Sequence, residues 1–315
     1  MPRCGMIGSC RLTRRGMSGA GAAGHVNVES GTRSAVAARA VRLLGIGLPA
    51  AAAVGLGAWA RERFEHRSIF VPDRYPNGIW NPRPFGLPAV DVWFESSDGT
   101  DLHGWWIPHR HPRATLLYCH GNSGSIAHQI GALRFLRRLK VHLFVFDYRG
   151  YGRSGGRPSE AGLYRDVRAA WRQVVDGLGQ EPGSVVLFGH SLGGAVAIDC
   201  AVDHPPAGLV VQSSFTDMKQ AARALFPTLP VHWVARSRFR SIDKIGSVDA
   251  PKLIVHGGAD GTLPVSMSER LHEAARAPKE LYLVRGAGHN DVYRHGGLAY
   301  LRRLGRFIGA CVGAR

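Results

Sequence analysis

The sequence predicts an α/β fold, a mainly parallel twisted sheet with helices on both faces, and three observations carry that reading. Strand-type and helix-type stretches alternate from about residue 90 onward, as a chain must if each crossover helix returns it to start another parallel strand. The stretch Ser184-Val-Val-Leu-Phe-Gly-His-Ser-Leu-Gly-Gly194 runs from a buried-type strand through a glycine-flanked serine into an alanine-rich helix. A length of 315 residues suits one large α/β domain behind a leader.

Residues 1–42 are rich in Gly, Ser, Ala and Arg without sustained periodicity, and read as a disordered tail. Leu43 to Ala60 is an uncharged run, bracketed by Arg42 and Arg61 and just long enough to span a bilayer. A single-pass N-terminal membrane anchor is the expectation for 43–60. A signal peptide cleaved after Ala58-Trp59-Ala60, giving a secreted protein, and a soluble helix remain open beside it. Pro49 lies inside the run, and arginines on both sides leave the positive-inside rule nearly balanced. Prolines and aromatics make residues 61–89 an irregular lead-in.

Val90 to Glu95 and Leu102 to Ile107, separated by the turn residues Ser97-Asp98-Gly99, form a predicted β-hairpin. Thr115 to Cys119 is the next strand and delivers His120-Gly-Asn-Ser-Gly124 at its end. The backbone N–H of Asn122 there is expected to face that of Leu192, two donors suited to the oxyanion of acyl transfer. The alternative is a plain turn with Asn122 or Ser123 as N-cap. A helix is expected from Ile126 to about Lys140, then a strand over His142 to Phe146 and the loop Asp147-Tyr-Arg-Gly-Tyr-Gly-Arg-Ser-Gly155. That loop has glycines but no G-K-[ST] terminus, so it is not a phosphate loop, and Asp147 and Arg149 are expected in structural hydrogen bonds.

The serine stretch reads as a nucleophile elbow, in which Ser191 sits in strained backbone at a helix N-terminus and the free N–H of Leu192 points at an oxyanion. After Val210 and Val211 the alternation breaks, and residues of about 217–248 are assigned to a short cap. Leu225, Phe226, Leu229, Val231, Trp233 and Val234 would form its apolar underside, with Arg236, Arg238 and Arg240 outward. Lys252 to His256 and Glu280 to Val284 are the last strands, followed by Asp260 and His289 respectively.

A net charge of +17 comes largely from scattered arginine, some on helices (Arg134, Arg137 and Arg138; Arg302, Arg303 and Arg306). Solvated helix faces explain it, with an anionic membrane surface as the sharper alternative. No nucleic-acid partner is expected, because no binding motif accompanies the charge. Five cysteines without C-x-x-C spacing argue against a disulfide framework and a zinc site.

The segments His120-Gly121-Asn122, Asp147 to Ser154, Gly189 to Gly194, His256-Gly257-Gly258-Ala259-Asp260 and Gly288-His289 together resemble the α/β-hydrolase superfamily. The likeness is to its short-cap, serine aminopeptidase-like and monoacylglycerol-lipase-like branch, including membrane-tethered members, and covers roughly residues 90–310. The resemblance implies an α/β-hydrolase domain over 90–315 and a triad in the order Ser191, Asp260, His289. Asp217 is the rival acid, one strand earlier. It also implies two-step cleavage of a small-molecule acyl ester or thioester, with the Asn122 and Leu192 N–H groups as oxyanion hole and no metal or organic cofactor. An aminopeptidase or acyltransferase with the same triad, and a silent binding protein on this fold, are the alternatives. The oligomeric state has no signature in the sequence.

Overall fold

The structure, a computed structural model, describes residues 55–57, 69–226, 228 and 237–313. The tail over 1–42 and nearly all of the run over 43–60 lie outside the described residues, as do Leu229, Val231, Trp233, Val234 and Arg236 of the cap. Among the described residues, no helix is long and apolar enough to cross a membrane.

The elements follow the apolar patterning closely. In chain order they are β1 (Val71–Pro72), the hairpin β2 (Val90–Glu95) and β3 (Asp101–Ile107), β4 (Thr115–Cys119), β5 (Ser123–Gly124), α1 (Ile130–Arg137) and β6 (His142–Phe146). Then come α2 (Glu160–Arg172), β7 (Val185–His190), α3 (Leu192–Asp203), β8 (Gly208–Gln212), α4 (Met218–Leu225) and α5 (Ser241–Lys244). The chain closes with β9 (Lys252–Gly257), α6 (Val265–Ala274), β10 (Lys279–Val284) and α7 (Val292–Gly313), which kinks at Gly297.

Eight strands form one sheet in the order β10-β9-β8-β7-β4-β6-β3-β2. Pairing is parallel from β10 to β6 and antiparallel only for β3 with β6 and β2 with β3. Period-2 geometry then splits the core in two. Val185 and Leu187 of β7 pack on one face with Leu163, Val196, Ile198 and Leu271, beneath α2, α3 and α6. Val186 and Phe188 pack on the other face with Leu133, Leu136, Leu304 and Phe307, beneath α1 and α7. Central strands are covered on both faces, so β4, β8 and β9 are buried along their whole length, whereas the edge strand β2 is not. Each buried Leu, Val or Phe contributes roughly 1.5–3 kcal/mol.

Two expectations are corrected. The single helix over Ile126 to Lys140 is instead a 3-10 turn at Ile126–His128, a break at Gln129 (φ −91°, ψ 6°) and α1. The reason is local: Ser125 and His128 close a capping box that tightens the first turn, with the Ser125 N–H 3.2 Å from His128 Nδ1. Ser125, not Asn122 or Ser123, is therefore the cap, and Lys140 lies beyond the helix with φ 57°.

The lead-in also has a defined seat. Val71 N–H donates to Asn122 C=O (3.0 Å), Asp73 N–H to Gly124 C=O (3.0 Å), Tyr75 N–H to Gly152 C=O (3.1 Å) and Ile79 N–H to Ala127 C=O (3.1 Å). Residues 71–79 are thus a strap across the His120–Gly124 loop, with β1 pairing β5 in parallel. The loop after β6 holds the turn that follows, where Asp147 Oδ1 accepts the Ile126 N–H (2.9 Å). Arg149 anchors that loop to Asp166 (2.7 Å) and Asp98 (2.8 Å), and its guanidinium holds the Asp98 carboxyl well below the usual carboxylate range.

Candidate active site

Three strand ends on one edge of the sheet bring the site together. At the end of β7, Ser191 has φ 54° and ψ −119°, a backbone conformation that L-residues avoid. The strain is held by three hydrogen bonds: Ser191 N–H to Gln212 C=O (2.9 Å), and the Gly194 N–H (2.9 Å) and Ser214 Oγ–H (2.8 Å) to Ser191 C=O. Gly193 makes the turn sterically feasible, since a Cβ there would lie 2.0 Å from the Cys119 carbonyl oxygen.

His289 follows β10 and places Nε2 3.0 Å from Ser191 Oγ and Nδ1 2.7 Å from Asp260 Oδ2. Asp260 follows β9 and is buried. Its Oδ1 accepts the Thr262 and Leu263 N–H groups at 2.8 and 2.9 Å. Burial pushes the Asp260 pKa up, but hydrogen bonds from His256, His289 and the Leu263 N–H outweigh it and hold the carboxyl well below its ordinary range. The His289 loop fits against β9 because residue 257 is glycine: a Cβ there would lie 2.4 Å from Gly288 O and 2.5 Å from Ala287 O.

Asp217, the rival acid, is elsewhere occupied. It is the N-cap of α4, accepting the Gln220 N–H at 2.9 Å and the Gln220 side-chain amide at 2.7 Å. Two histidines that the sequence reading gave no role belong to the site. His256 Nε2 lies 3.2 Å from Asp260 Oδ2 and its Nδ1 accepts from Ser268 Oγ (2.7 Å). The i,i+4 spacing inside His256-Gly-Gly-Ala-Asp260 was the signal for it. His190 Nε2–H donates to the His289 carbonyl (3.1 Å), and burial together with the neighbouring His289 pushes its pKa down to about 4.

Asn122 is pinned on the opposite side of Ser191. Its C=O accepts the Val71 N–H (3.0 Å) and the Tyr151 hydroxyl (2.8 Å), and its side-chain amide donates to Ile69 C=O (3.1 Å). Leu192 is the first residue of α3, where a backbone N–H has no intrahelical acceptor. Gly121, Asn122, Ser191, Leu192 and His289 all line one cavity of about 440 Å³. Its apolar lining is made by Ile69, Phe215, Met218, Ala221, Leu225 and Leu263. Its polar lining includes Ser123, His128, Gln129, Asn290 and Tyr293. Leu225 is 44% exposed and Phe226 half-buried, while Arg238 and Arg240 face solvent. Among the described residues, no group of three or more His, Cys, Asp or Glu side chains is placed to hold a metal ion.

Residues 110–243 match the sequence model of the serine aminopeptidase family S33 (Hydrolase_4). The uncharacterized protein Rv2307c of Mycobacterium tuberculosis is 37% identical over 273 residues, which span 86% of this chain and 95% of that protein. The alpha/beta hydrolase domain-containing protein WAV2 of Arabidopsis thaliana is 30% identical over 274 residues, 78% of this chain and 87% of that protein. Among solved structures, the Pyrococcus furiosus esterase Pf2001 superposes with a TM-score of 0.64 over 76% of this chain and 97% of that one, at 23% identity. A likeness at that identity speaks for the fold alone.

Proposed function

Because this chain belongs to the α/β-hydrolase superfamily, we propose that it is a serine hydrolase acting on carboxylic esters, or thioesters, through an acyl-enzyme. The observation that carries the reading is the hydrogen-bonded series Asp260–His289–Ser191 on the floor of a half-apolar cavity. In the proposed mechanism His289 Nε2 takes the Ser191 proton as Oγ attacks the carbonyl, and Asp260, kept ionised by its hydrogen bonds, steadies the imidazolium. The Asn122 and Leu192 N–H groups hold the oxyanion, each donor lowering the barrier by roughly 3 kcal/mol. His289 then protonates the leaving group, and water, deprotonated by the same imidazole, releases the acid.

The apolar part of the lining supports an acyl chain over a peptide. An aminopeptidase needs a carboxylate to receive the free α-ammonium, and among the described residues no Asp or Glu lines the cavity. Each methylene buried against Ile69, Met218 and Leu225 adds about 0.8 kcal/mol. On a p-nitrophenyl series, kcat/KM is expected to rise from acetyl to butanoyl or octanoyl and to exceed that on aminoacyl amides. A fluorophosphonate probe is expected to label Ser191, and Ser191→Ala to abolish labelling. Labelling that survives in the alanine variant refutes the nucleophile assignment, and a preference for an amide with a free α-amine refutes the substrate class. Adding an alcohol acceptor and analysing products separates hydrolysis from acyl transfer.

A further inference from the structure

We propose that His120 and Ser214 are positioning residues that aim the two oxyanion-hole N–H groups from behind, each through a peptide plane it shares with one of them. The proposal rests on the serine-hydrolase reading above. A trans peptide is flat, with C=O and N–H on opposite edges, so fixing the direction of the carbonyl fixes that of the amide hydrogen.

The Gly121–Asn122 peptide carries the Gly121 C=O and the Asn122 N–H. His120 Nδ1 lies 2.8 Å from Gly121 O, in a wholly buried setting. A carbonyl only accepts, so the ring nitrogen must donate. Burial pushes the His120 pKa below its ordinary value, which leaves a neutral imidazole whose one proton sits on Nδ1. The ring itself is packed against Tyr148 (4.4 Å between centroids) and Tyr151 (5.4 Å). The hydroxyls of these tyrosines donate to the flanking carbonyls of His120 (2.9 Å) and Asn122 (2.8 Å). Every peptide around the Asn122 N–H is therefore held.

The Ser191–Leu192 peptide carries the Ser191 C=O and the Leu192 N–H. Ser214, fully buried beyond the end of β8, donates its hydroxyl to Ser191 O at 2.8 Å. The sequence makes room for that hydroxyl: a Cβ on Gly194 would lie 2.5 Å from Ser214 Oγ. The second glycine of Ser191-Leu-Gly-Gly194 is thus explained by the clamp on the Leu192 N–H and not by the elbow alone.

The two clamps share a second effect. A donor on the carbonyl edge polarises the peptide, and the N–H on the far edge becomes a stronger donor as negative charge develops on the oxyanion. Neither side chain touches the reacting atoms. They sit on different elements and act on different peptides, but both N–H groups close on one oxygen, so their contributions are coupled.

The test uses the full chain, with kcat and KM on p-nitrophenyl butanoate expressed per site titrated by fluorophosphonate, and the inhibition constant of a trifluoromethyl ketone that forms a tetrahedral oxyanion on Ser191. Removing an oxyanion donor outright costs roughly 10²–10³ in kcat. Releasing its aim is expected to cost part of that, about tenfold, for each of Ser214→Ala and His120→Leu. KM is expected to stay constant and ketone affinity to weaken in the same proportion as kcat/KM. His120→Asn, which keeps an amide nitrogen where Nδ1 stood, is expected to restore most of the loss. Ser214→Ala deletes a single oxygen and keeps the test standing if His120→Leu does not fold. Unchanged kcat per site, with only fewer titratable sites or a lower Tm, overturns the positioning role while leaving the hydrolase reading intact. A wild-type chain that neither labels at Ser191 nor cleaves the ester overturns both.

Discussion

Replacing Ser191 by glycine and by alanine separates what the elbow does for catalysis from what it costs the fold. Both variants lose the hydroxyl and its 3.0 Å hydrogen bond to His289, so that loss cancels between them. What differs is the backbone. At φ 54° and ψ −119° an L-residue carries about 1–3 kcal/mol of strain, which alanine keeps and glycine releases. Against this, glycine loses about 0.4–1 kcal/mol through the greater freedom of its unfolded chain. The glycine variant is therefore expected to be the more stable by about 1 kcal/mol, the reverse of the ordinary order. For a domain of this size that is about 2–4 °C in Tm, read by differential scanning calorimetry and checked by urea unfolding at constant m. An alanine variant that melts at or above the glycine variant refutes the argument: the bonds to Gln212, Ser214 and Gly194 would then not be imposing a strained conformation.

Three further outcomes are expected. Asp260→Asn should cost roughly 10⁴ in kcat by favouring the wrong His289 tautomer, whereas Asp217→Asn, which preserves the cap on α4, should leave kcat unchanged; the reverse result in steady-state assays moves the acid to Asp217. His190 has a folded pKa of about 4, below the ordinary value near 6.5 of the unfolded chain. The unfolded state therefore binds the proton first, and the stability involved is intact above about pH 6.5 and lost as pH falls toward 4, by at most about 3 kcal/mol. Urea unfolding at pH 7 and pH 4.5 should show a smaller loss in His190→Gln than in the wild type, and equal losses refute the assignment. Deleting residues 1–60 should release an active, soluble domain from a membrane-bound full-length chain; full-length protein that fractionates as soluble with its N-terminus intact refutes the anchor.

The sheet was legible in the sequence because each central strand is a run of branched or aromatic side chains covered on both faces, as in Val185 to Phe188 and His142 to Phe146. Ser191, Asp260 and His289 were legible for a related reason: each lies on the loop or turn at a strand's C-terminal end, so chain order already places them along one edge. The choice between two acids was less evident, since Asp217 also follows a strand. Its Asp-Met-Lys-Gln220 spacing is a helix-start signature, and the structure uses it as one. The strap over residues 71–79 could not be read from side chains, because backbone groups make its bonds to Asn122, Gly124, Ala127 and Gly152. The same holds for His120 and Ser214, whose partners are carbonyls that any residue would supply.

The strap has a consequence for how the molecule comes to be active. Val71 meets Asn122 across 51 positions of chain, and Tyr75 meets Gly152 across 77. Contacts of that span demand that large loops close before they return any energy. The elbow, by contrast, is a neighbour of its own strand and helix and can form with them. The sheet closes loops as long, since Thr115 of β4 pairs with Val185 of β7 across 70 positions, but the strap's acceptors Asn122 and Gly152 lie on loops that β4 and β6 place, so the lead-in can dock only once those strands are paired. A refolding chain should regain its native helix content before it regains turnover, with the last step belonging to the segment that precedes the sheet.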